Sequence, residues 1–339
     1  MKTLEVNKSY RTEGGNVFHG LEVAYDTWGT LNDQKNNVIW VCHALTANSD
    51  VESWWPGMVG EDLAFDTGIY FIVCANILGS CYGTTGPLSI NPQTGKQWMD
   101  DFPVITVRDI VRLHEILRVQ LGITRIHTII GSSIGGYQAL EYSIMYPEII
   151  QRLVFIASSA KQSPWAVAFN ESQRLSIEAD PSFFEKDPSG GQKGLKAARS
   201  IALLSYRTAY AYNQTQAEDS DDKITSFRAS SYQAYQGDKL VNRFNPWSYY
   251  RLTQLSDSHN VGRGRGGIVS ALKKVKAKTL CIGIKSDILY PAEEQKFVAE
   301  NIKEGQYVEI DSFYGHDGFL IEVEKVSAVL KKFREETSR

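Results

Sequence analysis

A run of apolar and β-branched residues, Ile126-His127-Thr128-Ile129-Ile130, passes directly into Gly131-Ser132-Ser133-Ile134-Gly135-Gly136. That hexapeptide passes as directly into a helical pattern, Tyr137-Gln138-Ala139-Leu140-Glu141-Tyr142. Together these stretches read as strand, sharp turn and helix. The turn is tight enough that a Cβ at Gly131 or Gly135 would clash. It lifts the Ser133 hydroxyl clear of the strand, at a helix N-terminus whose amide groups favour negative charge. A serine held there becomes a nucleophile when a base is near. Gly-x-Ser-x-Gly also occurs by chance in ordinary glycine-rich turns, so its weight comes from the flanking strand and helix.

Similar short runs recur at 38–42, 70–74, 153–157, 279–284 and 307–310. Continuous apolar runs suit strands buried on both faces of a mostly parallel sheet. Helical patterns at 107–121 and 134–146 alternate with them, the second stopped by Pro147. Residues 21–25 read as an antiparallel strand at the front. The class is α/β, and the serine turn makes it the α/β-hydrolase fold. The alternation lapses between residues 161 and 276, where the clearest pattern is helical, at 194–212. So long a segment is too much for a loop, and reads as an inserted helical lid between core portions 1–160 and 277–339. The acidic residues at 217–223 are bunched without ligand spacing, a solvated loop and no metal site.

A net charge of −3 gives no reason to expect a nucleic acid or an anionic membrane as partner. The N-terminal residues lack the apolar stretch of a signal peptide, and no run approaches a membrane span. Cys42, Cys74, Cys81 and Cys281 show no metal spacing, and three lie in or beside strand-like runs. Buried free thiols in a reducing compartment are expected, with a cytoplasmic location as the default.

The base must come from the rest of the chain. In this fold the order is serine, acid, histidine, with the oxyanion donors on backbone amides. After Ser133 only His259 and His316 remain. His259 falls within the lid and reads as a surface or lid residue. His316 follows the last strand in Tyr314-Gly315-His316-Asp317-Gly318, a loop placed over the strand ends where ligands bind. Asp287 ends the preceding strand and would orient the imidazole, the competing role being a helix cap. The amides of Ile134 and Leu45 are the expected oxyanion donors, Leu45 lying in the loop after strand 38–42.

Longer runs go further. His43-Ala44-Leu45-Thr46, Trp54-Trp55-Pro56-Gly57 and Asn76-Ile77-Leu78-Gly79-Ser80-Cys81-Tyr82-Gly83-Thr84-Thr85-Gly86-Pro87 resemble the homoserine O-acetyltransferase family of α/β-hydrolase-fold acyltransferases. So do Phe102-Pro103-Val104-Ile105-Thr106-Val107-Arg108-Asp109, Gly262-Arg263-Gly264-Arg265-Gly266-Gly267 and the loop around His316. The resemblance implies transfer of acetyl from acetyl-CoA, as co-substrate, to the hydroxyl of L-homoserine in methionine biosynthesis. It implies a homodimer through the lid and no other cofactor. It assigns Arg207 to the amino-acid carboxylate, which a planar guanidinium grips through paired hydrogen bonds, and Asp317 to the ammonium. A surface ion-pair arginine and a loop aspartate are the plainer alternatives.

Two departures from the family pattern matter. The elbow usually reads Gly-Gly-Ser-Met-Gly-Gly, so Ser132 adds a second hydroxyl; only Ser133 has glycine two residues to either side. Asp257-Ser258-His259-Asn260 replaces the usual Asp-Ala-His-Asp. The Arg-Gly run at 262–267 is too short to argue for RNA and reads as loop, with contact to CoA phosphates as a further option. Paired Trp54 and Trp55 read as packing near the site entrance. The expected mechanism is ping-pong acyl transfer in a site that keeps water out. Succinyl-CoA as donor, serine as acceptor, an esterase or thioesterase, and a non-catalytic binding protein are the alternatives.

Overall fold

A computed structural model describes residues 1–337. Eight strands form one sheet: β1 (Lys2–Arg11), β2 (Val17–Trp28), β3 (Val38–Cys42), β4 (Phe71–Ala75), β5 (Ile126–Ser132), β6 (Arg152–Ile156), β7 (Lys278–Ile284) and β8 (Gly305–Ile310). Their spatial order is β1-β2-β4-β3-β5-β6-β7-β8. From β4 to β8 neighbours run parallel, while β2 is antiparallel to both β1 and β4. The expected front strand is thus one arm of a longer hairpin. Strand β1 buries only Val6 and Tyr10, too few inward residues to announce a strand by period.

The central strands show why their runs carry no polar break. Val38, Trp40 and Cys42 of β3 join one apolar cluster, while Ile39 and Val41 join the other, on the opposite face. Helices α1 (Val107–Gln120) and α2 (Ile134–Met145) cover the first face. Thr106 and Asp109 close a capping box at the start of α1, which accounts for part of the run at 102–109. The second face is covered in part by Phe319, Val326, Leu330 and Phe333 near the C-terminus.

Between β6 and β7 stand helices α3 (Pro164–Glu178), α4 (Gln192–Tyr206), α5 (Ala209–Thr215), α6 (Arg228–Val241) and α7 (Pro246–Asp257). Ser163 and Asn245 cap α3 and α7, with Pro164 and Pro246 in the first turn where no amide is lost. The helical run expected at 194–212 is broken, because Arg207 is extended (φ −117°, ψ 158°) before Thr208 caps α5. This excursion closes at a narrow neck. Lys161 pairs with Asn260, the Gln162 amide donates to the His259 carbonyl (3.0 Å), and Val261 donates to Ala160 (3.0 Å). Among the described residues no helix is long and apolar enough to cross a membrane.

His259 belongs to the lid segment, one of its two expected positions, and not to the surface. It is buried in the neck, stacked on Tyr137 with ring centroids 3.8 Å apart, and donates from Nε2 to the Ser159 carbonyl at 3.0 Å. Burial lowers its pKa to about 3, so it remains a neutral packing residue. The arginines of the 262–267 run make ion pairs, Arg263 with Glu13 (2.9 Å) and Arg265 with buried Glu141 of α2.

Candidate active site

The crossing of β5 into α2 explains Gly131 and Gly135. A Cβ on Gly131 would lie 2.1 Å from the Gly135 carbonyl oxygen, and one on Gly135 2.1 Å from that of Cys42. Close approach is therefore what demands glycine, while the unusual dihedrals fall on Ser133 (φ 55°, ψ −129°). A non-glycine residue there is strained, and its neighbours hold it. The Ser133 amide donates to Ile156 (3.1 Å), and its carbonyl accepts from Ser158 Oγ (2.7 Å). Gly135→Ala should destabilise the fold by about 3 kcal/mol through overpacking, read as a lower urea midpoint. Gly14→Ala, whose added carbon would meet nothing closer than 3.8 Å, should leave the midpoint unchanged.

Ser133 and His316 line one cavity of about 390 Å³, bordered also by Leu45, Trp54, Tyr206 and Asp317. Ser132 ends β5, is fully buried, and its hydroxyl has no hydrogen-bond partner among the described residues. Behind His316, Nδ1 lies 2.6 Å from Asp287 Oδ2. The other carboxylate oxygen accepts from the amides of Leu289 (2.8 Å) and Tyr290 (2.9 Å), so Asp287 both closes a turn and orients the imidazole. Burial disfavours charge on His316, but the Asp287 carboxylate, helped by Asp317, outweighs it and raises the imidazole pKa above 6.5.

The loop after β3 is fixed from several sides. His43 is fully buried, with a pKa lowered to about 4 by burial, and is therefore neutral. Its Nε2 accepts from the Ile77 amide (3.1 Å), which leaves Nδ1–H to donate to the Ala44 carbonyl (2.8 Å). From the lid, Arg243 donates to the Thr46 carbonyl and to Tyr82 Oη (2.7 Å). Leu45 is held between these anchors. Ile134 opens α2, where the first amides have no carbonyl a turn earlier to bond. Leu45, Ile134 and Ser133 also border a second, smaller cavity. Trp55 is buried and donates to the Phe319 carbonyl (3.1 Å), while Trp54 stacks on it and faces the larger cavity.

Asp317 borders the larger cavity and holds Arg207, with Nε to Oδ2 at 2.5 Å. Burial works against the Arg207 charge and the Asp317 carboxylate sustains it, raising its pKa. The break after α4 presents this guanidinium to the loop bearing His316. Arg199, Lys239 and Arg243 also border the cavity, and sequence reasoning missed all three. They come from separate lid segments, and no local spacing links them.

A family model for the alpha/beta hydrolase fold matches residues 37–323. The homoserine O-acetyltransferase of Cyclobacterium marinum is 48% identical over 95% of this chain and 91% of its own length. The chain belongs to the homoserine O-acetyltransferase family. Another homoserine O-acetyltransferase, from Chlorobaculum tepidum, is 46% identical over 97% of this chain and 93% of its own. The crystal structure of the homoserine O-acetyltransferase from Bacillus anthracis superposes with a TM-score of 0.90 at 25% identity, covering 98% of this chain and 96% of that one. Hydrolases share the same architecture, so overall shape does not separate a homoserine O-acetyltransferase from an esterase. The groups around the cavity have to do so.

Proposed function

We propose that this protein moves an acetyl group from acetyl-CoA to the side-chain hydroxyl of L-homoserine through an acyl-serine, serving methionine biosynthesis. His316 takes the Ser133 proton as Oγ bonds to the thioester carbon. The tetrahedral intermediate, its oxyanion held by the amides of Leu45 and Ile134, collapses with cleavage of the C–S bond. The proton passes to the departing thiolate. His316 then takes the proton of the homoserine hydroxyl, which attacks the acetyl carbon, and returns it to Ser133 as the ester leaves.

The observation that carries this reading is the Arg207–Asp317 pair beside His316. It offers both charges of an amino-acid zwitterion their opposites, ammonium to Asp317 and carboxylate to Arg207. A hydrolase using water has no need of such a pair. Arg199, Lys239 and Arg243 add positive charge suited to the phosphates of CoA. The test is thiol release from acetyl-CoA with homoserine, with serine and with neither. Acceptor-dependent turnover specific to homoserine is expected, and equal release without acceptor would refute transfer in favour of hydrolysis.

His316 must be neutral to accept a proton. With its pKa raised, kcat/KM should fall tenfold per pH unit below a value above 6.5. In Asp287→Asn the larger raising charge is gone while burial and the weaker influence of Asp317 remain, so the acidic limb should move to lower pH. A pH–rate profile of both proteins checks this.

A homodimer through the lid belongs with this function, since Tyr210, Ile224 and Tyr235 are exposed there by 59%, 86% and 61%. Sedimentation equilibrium should give the mass of two chains. A cytoplasmic setting suits the four free cysteines, three of them buried.

A further inference from the structure

We propose that the smaller cavity beside Ser133 is the acyl chamber, and that its size and lining restrict the donor to a two-carbon acyl group. The inference rests on the acyl-serine reading above. A tetrahedral carbon on Ser133 Oγ carries three other substituents. The oxyanion faces the amides of Leu45 and Ile134. The departing sulfur and the attacking hydroxyl each exchange a proton with His316, so both belong in the large cavity that His316 lines. One direction remains for the acyl chain. The smaller cavity borders Ser133, Leu45 and Ile134, and His316 is not part of its lining.

Its volume is about 20 Å³, the space of one water or one methyl group. Phe169 of α3 forms part of its wall, with Gln162, Leu289 and Tyr290. Several of these walls are fixed. Gln162 accepts from Tyr137 and from Tyr290 Oη (3.4 Å), and the Leu289 amide is tied to Asp287 (2.8 Å). An acetyl methyl fits without rearrangement. A succinyl chain brings four more heavy atoms and a carboxylate into a chamber whose lining has no lysine or arginine. Arg199, Lys239 and Arg243 stand on the other cavity.

The experiment is intact-mass measurement of acyl-enzyme formation, without acceptor, from acetyl-, butyryl- and succinyl-CoA. Butyryl separates size from charge. The wild-type protein should acylate from acetyl-CoA about 100-fold faster than from either longer donor, the scale on which binding pockets reject added methylenes. Phe169→Ala should raise the butyryl-to-acetyl ratio at least ~10-fold while succinyl stays excluded, and Leu289→Ala provides a second opening of the same wall. Comparable wild-type acylation by butyryl-CoA would overturn the chamber, as would an unchanged ratio in both folded variants. If no donor labels Ser133, the acyl-serine reading itself fails, and the chamber with it.

Discussion

Ser133→Ala should reduce acetyl transfer by about 10⁴- to 10⁶-fold, the loss seen when a triad nucleophile is removed while its oxyanion donors remain. The expectation is this large because nothing nearby can substitute. Ser132 is adjacent in sequence, but it belongs to β5 and its side chain is fully buried, whereas Ser133 borders the cavity. Alanine also keeps the Ile134 amide in place, so acetyl-CoA should still bind. Steady-state thiol release, together with an absent acyl-enzyme mass, separates lost chemistry from lost binding. Retained acyl-enzyme in the alanine variant would move the nucleophile elsewhere. Asp287→Asn should cost less, about 10⁴-fold at most, by favouring the wrong imidazole tautomer.

The second large effect lies with the acceptor. Arg207→Ala should raise the KM for homoserine by about 100-fold, and Asp317→Asn by a similar factor, since a charge-assisted hydrogen bond contributes about 1.5–3 kcal/mol. Each variant also leaves its partner without a counter-charge in a half-buried setting, which adds to the loss. The pair explains how an empty site tolerates these charges. Arg207 and Asp317 neutralise one another, and a zwitterion then exchanges one internal contact for two external ones. Acylation by acetyl-CoA should persist in both variants. A parallel loss of the acyl-enzyme signal would show that the pair supports the triad instead of the acceptor.

Much of this site was legible because its chemistry sits at strand ends. Ser133, Asp287 and His316 each follow an apolar run, so the order of runs along the chain was enough to select them. Arg207 was found only through family likeness, since the helical pattern ran through it and gave no sign of the extended break that exposes it. The burial of His259 is hidden for a related reason. Its sequence neighbours are polar, yet the neck closes over it and Tyr137 covers its ring. Arg243, Lys239 and Arg199 were invisible because only the folding of the lid onto the loop after β3 brings them to one cavity. The elbow glycines and the His43 loop show the converse. Their requirements fall on single residues: a Cβ on Gly135 would lie 2.1 Å from the Cys42 carbonyl oxygen, and His43 Nε2 accepts from the Ile77 amide (3.1 Å).

The neck at Lys161 and Asn260 has a wider consequence. Because the lid departs and returns through adjacent backbone positions, its helices form a cassette whose two ends already meet. Such a segment can be lengthened, shortened or exchanged without altering the register of the sheet beneath it. The core carries Ser133, His316 and Asp317 while the cassette carries Arg207 and Phe169, so both cavities beside Ser133 exist only where the two parts meet. Transplanting residues 162–259 into a hydrolase of the same architecture would recast the acceptor only together with an acid at the position of Asp317.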